Sequence, residues 1–432
     1  MKHIKLLFLL GILTLGSINT KATSLALVEE CDTEITVIDI KTPIFLNVKD
    51  FGAVGDGKTD DTKAVLKAIK KAQKIEGTVY FPHGNYAIHP IKLPSHITLL
   101  GYSAWSYENK GNKDKDFKGK TTISALSGNA RALLDLDDSR GTRILGLTLD
   151  GKNLGKSMHG VYARNRGSEQ YICVEDCRIN YFTGSGIKLE RSWVFSIRKC
   201  LIMFNGEHGI DASGGYDGWI IDCQLTANNE TGLFARGVAP QDMSQEEKDS
   251  IRFFGTASIM VTANRVEWNK TGGIVLNNSN SMQITGCSID HNFGPGIELI
   301  NSTANTITGN KVRSNGVERQ NDGDQCSQII LKNCRGTSVT GNTLWGWFGR
   351  KEAKFTVPYP YYGIIVKDLE GCVISQNAMY HSSSKEGVLD YGGHSNTIIT
   401  QNPYLQPNIE TTEKGWVLKG KKTETNQTKK EK

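Results

Sequence analysis

One short unit recurs along the middle of this 432-residue chain. Gly186-Ile-Lys-Leu, Gly209-Ile-Asp-Ala and Gly232-Leu-Phe-Ala stand 23 residues apart. A second mark keeps the same step: Asp176-Cys-Arg-Ile, Lys199-Cys-Leu-Ile and Asp222-Cys-Gln-Leu. Both marks return at Gly273-Ile-Val-Leu with Gly286-Cys-Ser-Ile, and at Gly296-Ile-Glu-Leu with Gly309-Asn-Lys-Val. A fixed period means a solenoid, because one unit cannot close a core alone and must stack on its neighbours. Inside each unit, apolar residues alternate over short runs broken by Gly, Asn, Asp and Ser. That pattern reads as strands and turns, not as the helix pairs of other solenoids. Three strands and three turns need roughly 20–25 residues, so the period fits an all-β parallel β-helix with coils about 4.8 Å apart.

The second mark puts Cys177, Cys200, Cys223, Asn264, Cys287, Asn310, Asn342, Asn377 and Asn402 in equivalent places before an apolar residue. Cysteines stacked inside such a coil act as small hydrophobes. Stacked asparagines can hydrogen-bond along the axis. The chain has nine cysteines, an odd count, and no Cys-x-x-Cys pair, so the ladder reads as free thiols and not as a metal or redox site. Cys31 lies apart from it.

Residues 1–22 read as a targeting segment: Lys2 and Lys5 precede an apolar run at 6–18 that is too short to span a bilayer. The expectation is export, to the periplasm, the cell surface or the medium, with no later run long enough for a membrane span. The chain is formally +6; residues 1–22 carry +3 and 413–432 carry +4, which leaves −1 for everything between. The positive charge belongs to the ends and gives no warrant for a nucleic-acid partner. The expected organisation is a signal peptide at 1–22, an extended lead-in at 23–44, the solenoid at 45–410 and a disordered Lys-rich tail at 411–432.

A solenoid needs its open end covered. Ala64, Val65, Ala68, Ile69 and Ala72 form an apolar stripe at helical spacing, which predicts an amphipathic capping helix, with Thr59 or Asp60 as its cap. Just before it runs Asp50-Phe-Gly-Ala-Val-Gly-Asp-Gly-Lys-Thr-Asp-Asp-Thr, and Val79-Tyr-Phe-Pro-His-Gly-Asn-Tyr follows. These motifs resemble the opening of the pectate lyase superfamily, and more narrowly its rhamnogalacturonase/epimerase-like group. The resemblance extends through the repeats to about residue 405. It implies a right-handed, single-stranded parallel β-helix and a polysaccharide substrate. It leaves the reaction open, since the fold serves hydrolases, lyases, epimerases and phage tailspikes.

Three insertions break the period: one after Arg236, one at 314–326 and one at 345–362. All flank the Gly-Ile-x-Leu strands, which makes that sheet the floor of a groove. Residues 107–120 read as a further, polar surface loop. In Gly-Ile-x-Leu the Ile and Leu point inward, so x and its alternate neighbour face the groove. The facing positions are Tyr162 and Arg164, Lys188 and Glu190, Asp211 and Ser213, Phe234 and Arg236, Val275 and Asn277, Glu298 and Ile300. His208 opens the Asp211 strand, Tyr216 follows it, and Trp345 and Trp347 sit in the last insertion, where aromatic faces suit sugar rings.

Three chemistries fit the charges around Asp211. In hydrolysis, Glu190 and Asp211 form an acid and base pair at roughly 8 Å, and Lys188 favours Asp211 as the base. In elimination on a uronic acid, Lys188 is the base and Arg236 neutralises the substrate carboxylate, with Glu190 and Asp211 free to hold Ca²⁺. In a binding or structural solenoid, the charges pair along the ladder. Hydrolysis needs no cofactor and leads slightly. Of the hydrolase branch's motifs, only Glu207-His208-Gly209 resembles one (Gly-His-Gly). No catalytic set is carried over from the resemblance, and the candidates Asp211, Glu190, Lys188, Arg236 and His208, with Tyr162, Arg164, Tyr216, Phe234, Asn277, Glu298, Trp345 and Trp347 for substrate, rest on strand parity and loop position.

Overall fold

The computed structural model describes residues 45–75, 77–102, 121–164, 169–237, 255–346, 357–412 and 415–418. The targeting segment, the lead-in, Cys31, Trp347, the 107–120 loop and the tail beyond 418 lie outside the described residues. From Phe45 onward the chain forms one compact unit. Among the described residues its strands gather into three parallel sheets of 14, 13 and 11 strands, in which strands pair with their counterparts on neighbouring coils. This is the parallel β-helix that the period implied, right-handed as the resemblance implied. The Gly-Ile-x-Leu strands build the third sheet: His159–Arg164, Ile187–Glu190, Ile210–Asp211, Thr231–Arg236, Gly272–Asn277, Ile297–Ile300 and Ser327–Lys332 follow one another in it.

The core is the inside of the coil. Ile187, Leu189, Ile210, Leu233, Ile274, Leu276, Ile297 and Leu299 are wholly buried there. In this third sheet register is kept from coil to coil between Ile187 and Ile300, because a slip of one residue would turn every apolar side chain outward.

The second sequence mark is a corner. Asp176, Lys199, Asp222, Ala263, Gly286 and Gly309 all have φ between +49° and +64°. This left-handed bend turns the chain from the first sheet into the second, and the ladder residue follows it. Cys177, Cys200, Cys223 and Cys287 are buried free thiols, as are the other described cysteines. Asn310, Asn342, Asn377 and Asn402 join side chain to side chain at 2.9–3.0 Å.

A second ladder stands at the corner between the second and third sheets. Asn205, Asn228, Asn269, Asn292 and Asn315 pass one amide hydrogen bond to the next at 2.9–3.0 Å, and Gln328 ends the row. Each oxygen also accepts the backbone N–H of the residue below. These bonds satisfy main-chain groups that the turn leaves without a strand partner.

The helix Thr62–Ile75 covers the open end and buries Ala64, Val65, Ala68, Ile69 and Ala72. Asp60 accepts the N–H of Thr62 at 3.0 Å. Asp61 turns back and accepts Val54 and Gly55 N–H at 2.7 and 3.0 Å, which closes the Gly-rich opening loop. At the other end, Ile409–Thr412 pairs antiparallel with Gly415–Leu418. No helix among the described residues is long and apolar enough to cross a membrane.

Candidate functional site

Parallel register stacks the outward residues of the third sheet into columns. Asp135, Tyr162, Lys188, Asp211, Phe234, Val275 and Glu298 form one column, a residue per coil. Arg164 with Glu190, Arg236 with Asn277, and Ile300 with Lys332 pair two residues further along their strands.

Two carboxylates dominate the middle of this floor. Asp211 is all but buried, and Lys188 Nζ lies 3.2 Å from its Oδ2. Its Oδ1 accepts the Ser213 hydroxyl and, at 3.1 Å, the Ser213 N–H. Glu190 Oε2 accepts the Tyr162 hydroxyl at 2.7 Å. Burial, reinforced by Glu190, pushes the Tyr162 phenol well above its ordinary pKa, so it stays a donor. The Arg131 guanidinium caps the Tyr162 ring at 4.2 Å. Arg131 also binds Asp135 and Asp137 at 2.8 and 2.6 Å, and Arg164 reaches Asp137 at 3.3 Å. The first coils thus supply an ion network that parity reading missed, because their spacing departs from 23 residues and hides the column.

Two histidines line the edge where the strands begin. His159 Nδ1 accepts the Ser185 N–H at 2.8 Å, which leaves the ring proton on Nε2. His208 Nδ1 accepts the Thr231 N–H at 3.4 Å, its Nε2 meets Glu230 at 3.0 Å, and its ring stacks on Phe234 at 4.5 Å. Burial lowers the pKa of both. With both ring nitrogens engaged, His208 stands in the wall beside Asp211.

Two aromatic candidates leave the floor. Tyr216 opens the first-sheet strand Tyr216–Ile221 and packs on Trp193 at 5.3 Å. Trp345 ends the second-sheet strand Thr343–Trp345 beneath Arg313 and Lys311. Tyr216 thus follows the Asp211 strand as read, while Trp345 ends a strand and does not stand within the insertion. Arg236 is exposed at the far side of the Asp211 column, and Asn277 stands beside it. Glu298 accepts Gln325 Nε2 at 3.1 Å, and burial raises its pKa.

The arrangement can position a proton acceptor, a second carboxylate and a phenol along an extended ligand. Among the described residues, no group of three or more His, Cys, Asp or Glu side chains is placed to hold a metal ion.

The family model "Rhamnogalacturonase A/epimerase, pectate lyase-like" matches residues 45–132. "Right handed beta helix region" matches 124–243 and 241–344, just over half the chain. Mannuronan C5-epimerase AlgE2 of Azotobacter vinelandii is 25% identical over 253 residues, 54% of this chain and 23% of that protein. Alginate lyase 7 of the same organism is 29% identical over 194 residues, 42% and 21% respectively. The chain spans less than a quarter of the length of either. Among solved structures, the A-module of A. vinelandii mannuronan C-5 epimerase AlgE4 superposes with a TM-score of 0.59 at 18% identity, covering 82% of this chain and all of that one. The opening motif, the three-sheet coil and these matches agree: the chain belongs to the pectate lyase-like superfamily of right-handed parallel β-helix proteins.

Proposed function

We propose that the protein is an exported polysaccharide-active enzyme that hydrolyses glycosidic bonds in the groove on the third sheet. The observation that carries this reading is the pair of carboxylates with different companions: Asp211 against Lys188, and Glu190 beneath the Tyr162 hydroxyl. They stand one coil and two residues apart, roughly 8 Å by strand spacings. That lies within the span of about 6.5–9.5 Å that leaves room for the attacking water of an inverting hydrolase. In this reading Asp211 takes the proton from water and Glu190 protonates the departing oxygen. Three of the floor's cations are matched: Arg131 and Arg164 serve Asp135 and Asp137, and Lys188 serves Asp211. Such a surface suits a neutral or sparsely charged glycan better than a dense polyanion.

Elimination on a uronic acid is the second reading. It is favoured by the likeness to proteins named for mannuronan epimerisation and alginate cleavage. Lys188 would be the base and Arg236 the neutralising cation. Glu190 and Asp211 would hold Ca²⁺ in this version, with the Lys188 ammonium moved off the Asp211 oxygen that it meets at 3.2 Å.

One assay on a polysaccharide panel separates the readings. New reducing ends without an unsaturated uronate chromophore are expected. Reducing ends with the chromophore would transfer the site to elimination. Retention on a glycan array without cleavage of any member would make the protein a binding solenoid.

A further inference from the structure

The groove floor changes character along its length. In the column of Asp211 the next two coils present Phe234 and Val275, with Arg236 and Asn277 beside them, and charge returns to that column at Glu298. This second cluster is built differently from the first, because an insertion closes over it. Asp324 and Gln325, on the short turn Gly323–Gln325, descend onto the floor. Gln325 Nε2 binds Glu298 Oε1 at 3.1 Å, and Asp324 Oδ2 holds Lys332 Nζ at 2.8 Å. Tyr391, after the last described third-sheet strand, reaches back and donates its hydroxyl to Asp324 Oδ1 at 2.8 Å.

We propose that Glu298, Gln325, Asp324, Lys332 and Tyr391 form a second saccharide subsite for an uncharged sugar, which makes the groove selective for chain length. The inference rests on the groove reading given above and deepens it. Glu298 is three coils from Asp211 and Lys332 four, roughly 14–19 Å at about 4.8 Å per coil. A ligand touching both clusters must therefore be several sugars long. The apolar stretch between them, Phe234 and Val275, offers a face to a pyranose ring.

The charges of the cluster point to a neutral ligand. Lys332 and Asp324 cancel, and Lys367, in register with Lys332 one coil on, balances Glu298 in formal charge. What remains for a ligand is a set of donors and acceptors close to zero net charge, the complement of sugar hydroxyls. Tyr391 is 51% exposed, so its phenol ring is reachable from the groove.

The test measures binding and cleavage in parallel on two oligosaccharide ladders of increasing length, neutral β-1,3-gluco-oligosaccharides and acidic oligomannuronates. Binding is read by calorimetry on the full chain carrying Asp211→Asn, and cleavage on the chain with Asp211 intact. Affinity for the neutral ladder is expected to step up once the chain is long enough to reach from Asp211 to Lys332. In Tyr391→Ala and Glu298→Ala the step should fall by about tenfold while short oligomers bind as before. Tyr391→Phe, which loses only the hydroxyl of an exposed residue, guards against misfolding and should remove part of the step. A step that survives all three variants, a step confined to the oligomannuronates, or no binding of the neutral ladder overturns the proposal. Cleavage without a length step would remove the subsite and keep the hydrolase reading. A variant-sensitive step without cleavage would do the reverse.

Discussion

Lys188 and Asp211 occupy one column on neighbouring coils, and their charged ends meet at 3.2 Å. The carboxylate is nearly out of water, so its chemistry is set by that ammonium and by Ser213. Asp211→Asn keeps the shape and removes the proton acceptor. Activity on a cleaved polysaccharide should fall by at least about a hundredfold, with the melting curve nearly unchanged. Lys188→Met should cost activity and also roughly 1–2 kcal/mol of stability, since it strands the carboxylate. Full activity in Asp211→Asn would move the site elsewhere on the floor.

His159 and His208 should make the fold acid-sensitive. Each Nδ1 accepts a backbone N–H, so protonation would set donor against donor. Burial also lowers both pKa values, against the pull of Glu207 on His159 and of Asp211 and Glu230 on His208. As pH falls, the unfolded chain therefore takes up these protons first. Their stabilising effect is complete above about pH 6.5 and is lost as the pH drops through that value. In His159→Gln, the melting temperature should decline less steeply between pH 7 and 5 than in the unaltered protein. Equal slopes would remove His159 from this account.

The second sheet holds an opposite case. Glu267 and Asp290 face each other in register, both almost fully buried. Burial, and then Asp290, raise the pKa of Glu267. A raised carboxyl stabilises most below its ordinary value, 4.5, and that contribution is lost as the pH rises. Glu267→Gln supplies an amide that can donate to Asp290 at any pH. The variant should gain roughly 1 kcal/mol over the unaltered protein near pH 8, with the gap closing toward pH 4.5. A constant gap would mean that the two carboxylates do not share a proton.

The repeats made the fold legible because one period fixes strand, corner and register together. Gly-Ile-x-Leu gave the inward face, so the column from Tyr162 to Glu298 could be read without coordinates. The Asn ladder from Asn205 to Asn315 also keeps the repeat, at 23 residues except across the inserted coil, a signal that the reading of the Cys and Asn column passed over. Arg131, Asp135 and Asp137 were not, because the early coils lack the period. Asp324, Gln325 and Tyr391 come from loops and a strand end, where no alternation says which way a side chain points. Trp345 was read into the insertion, whereas it ends a second-sheet strand.

The two ladders look alike in sequence and should respond differently to substitution. Asn269 accepts both the N–H and the amide of Asn228, and donates to Leu225 O and Asn292 Oδ1. Asn269→Ala would leave the buried Asn228 N–H with no acceptor and interrupt the row. The expected loss is about 2–4 kcal/mol, near the sum of an unmet donor and a cavity. Cys200 donates to the Val174 and Arg198 carbonyls, so a serine hydroxyl there would find acceptors already in place. Cys200→Ser should therefore cost only about 1 kcal/mol, less than a hydroxyl buried without partners would. Denaturant melts of the two variants decide the matter. A Cys200→Ser loss as large as that of Asn269→Ala would mean that the thiol column is held by packing and not by its carbonyl contacts.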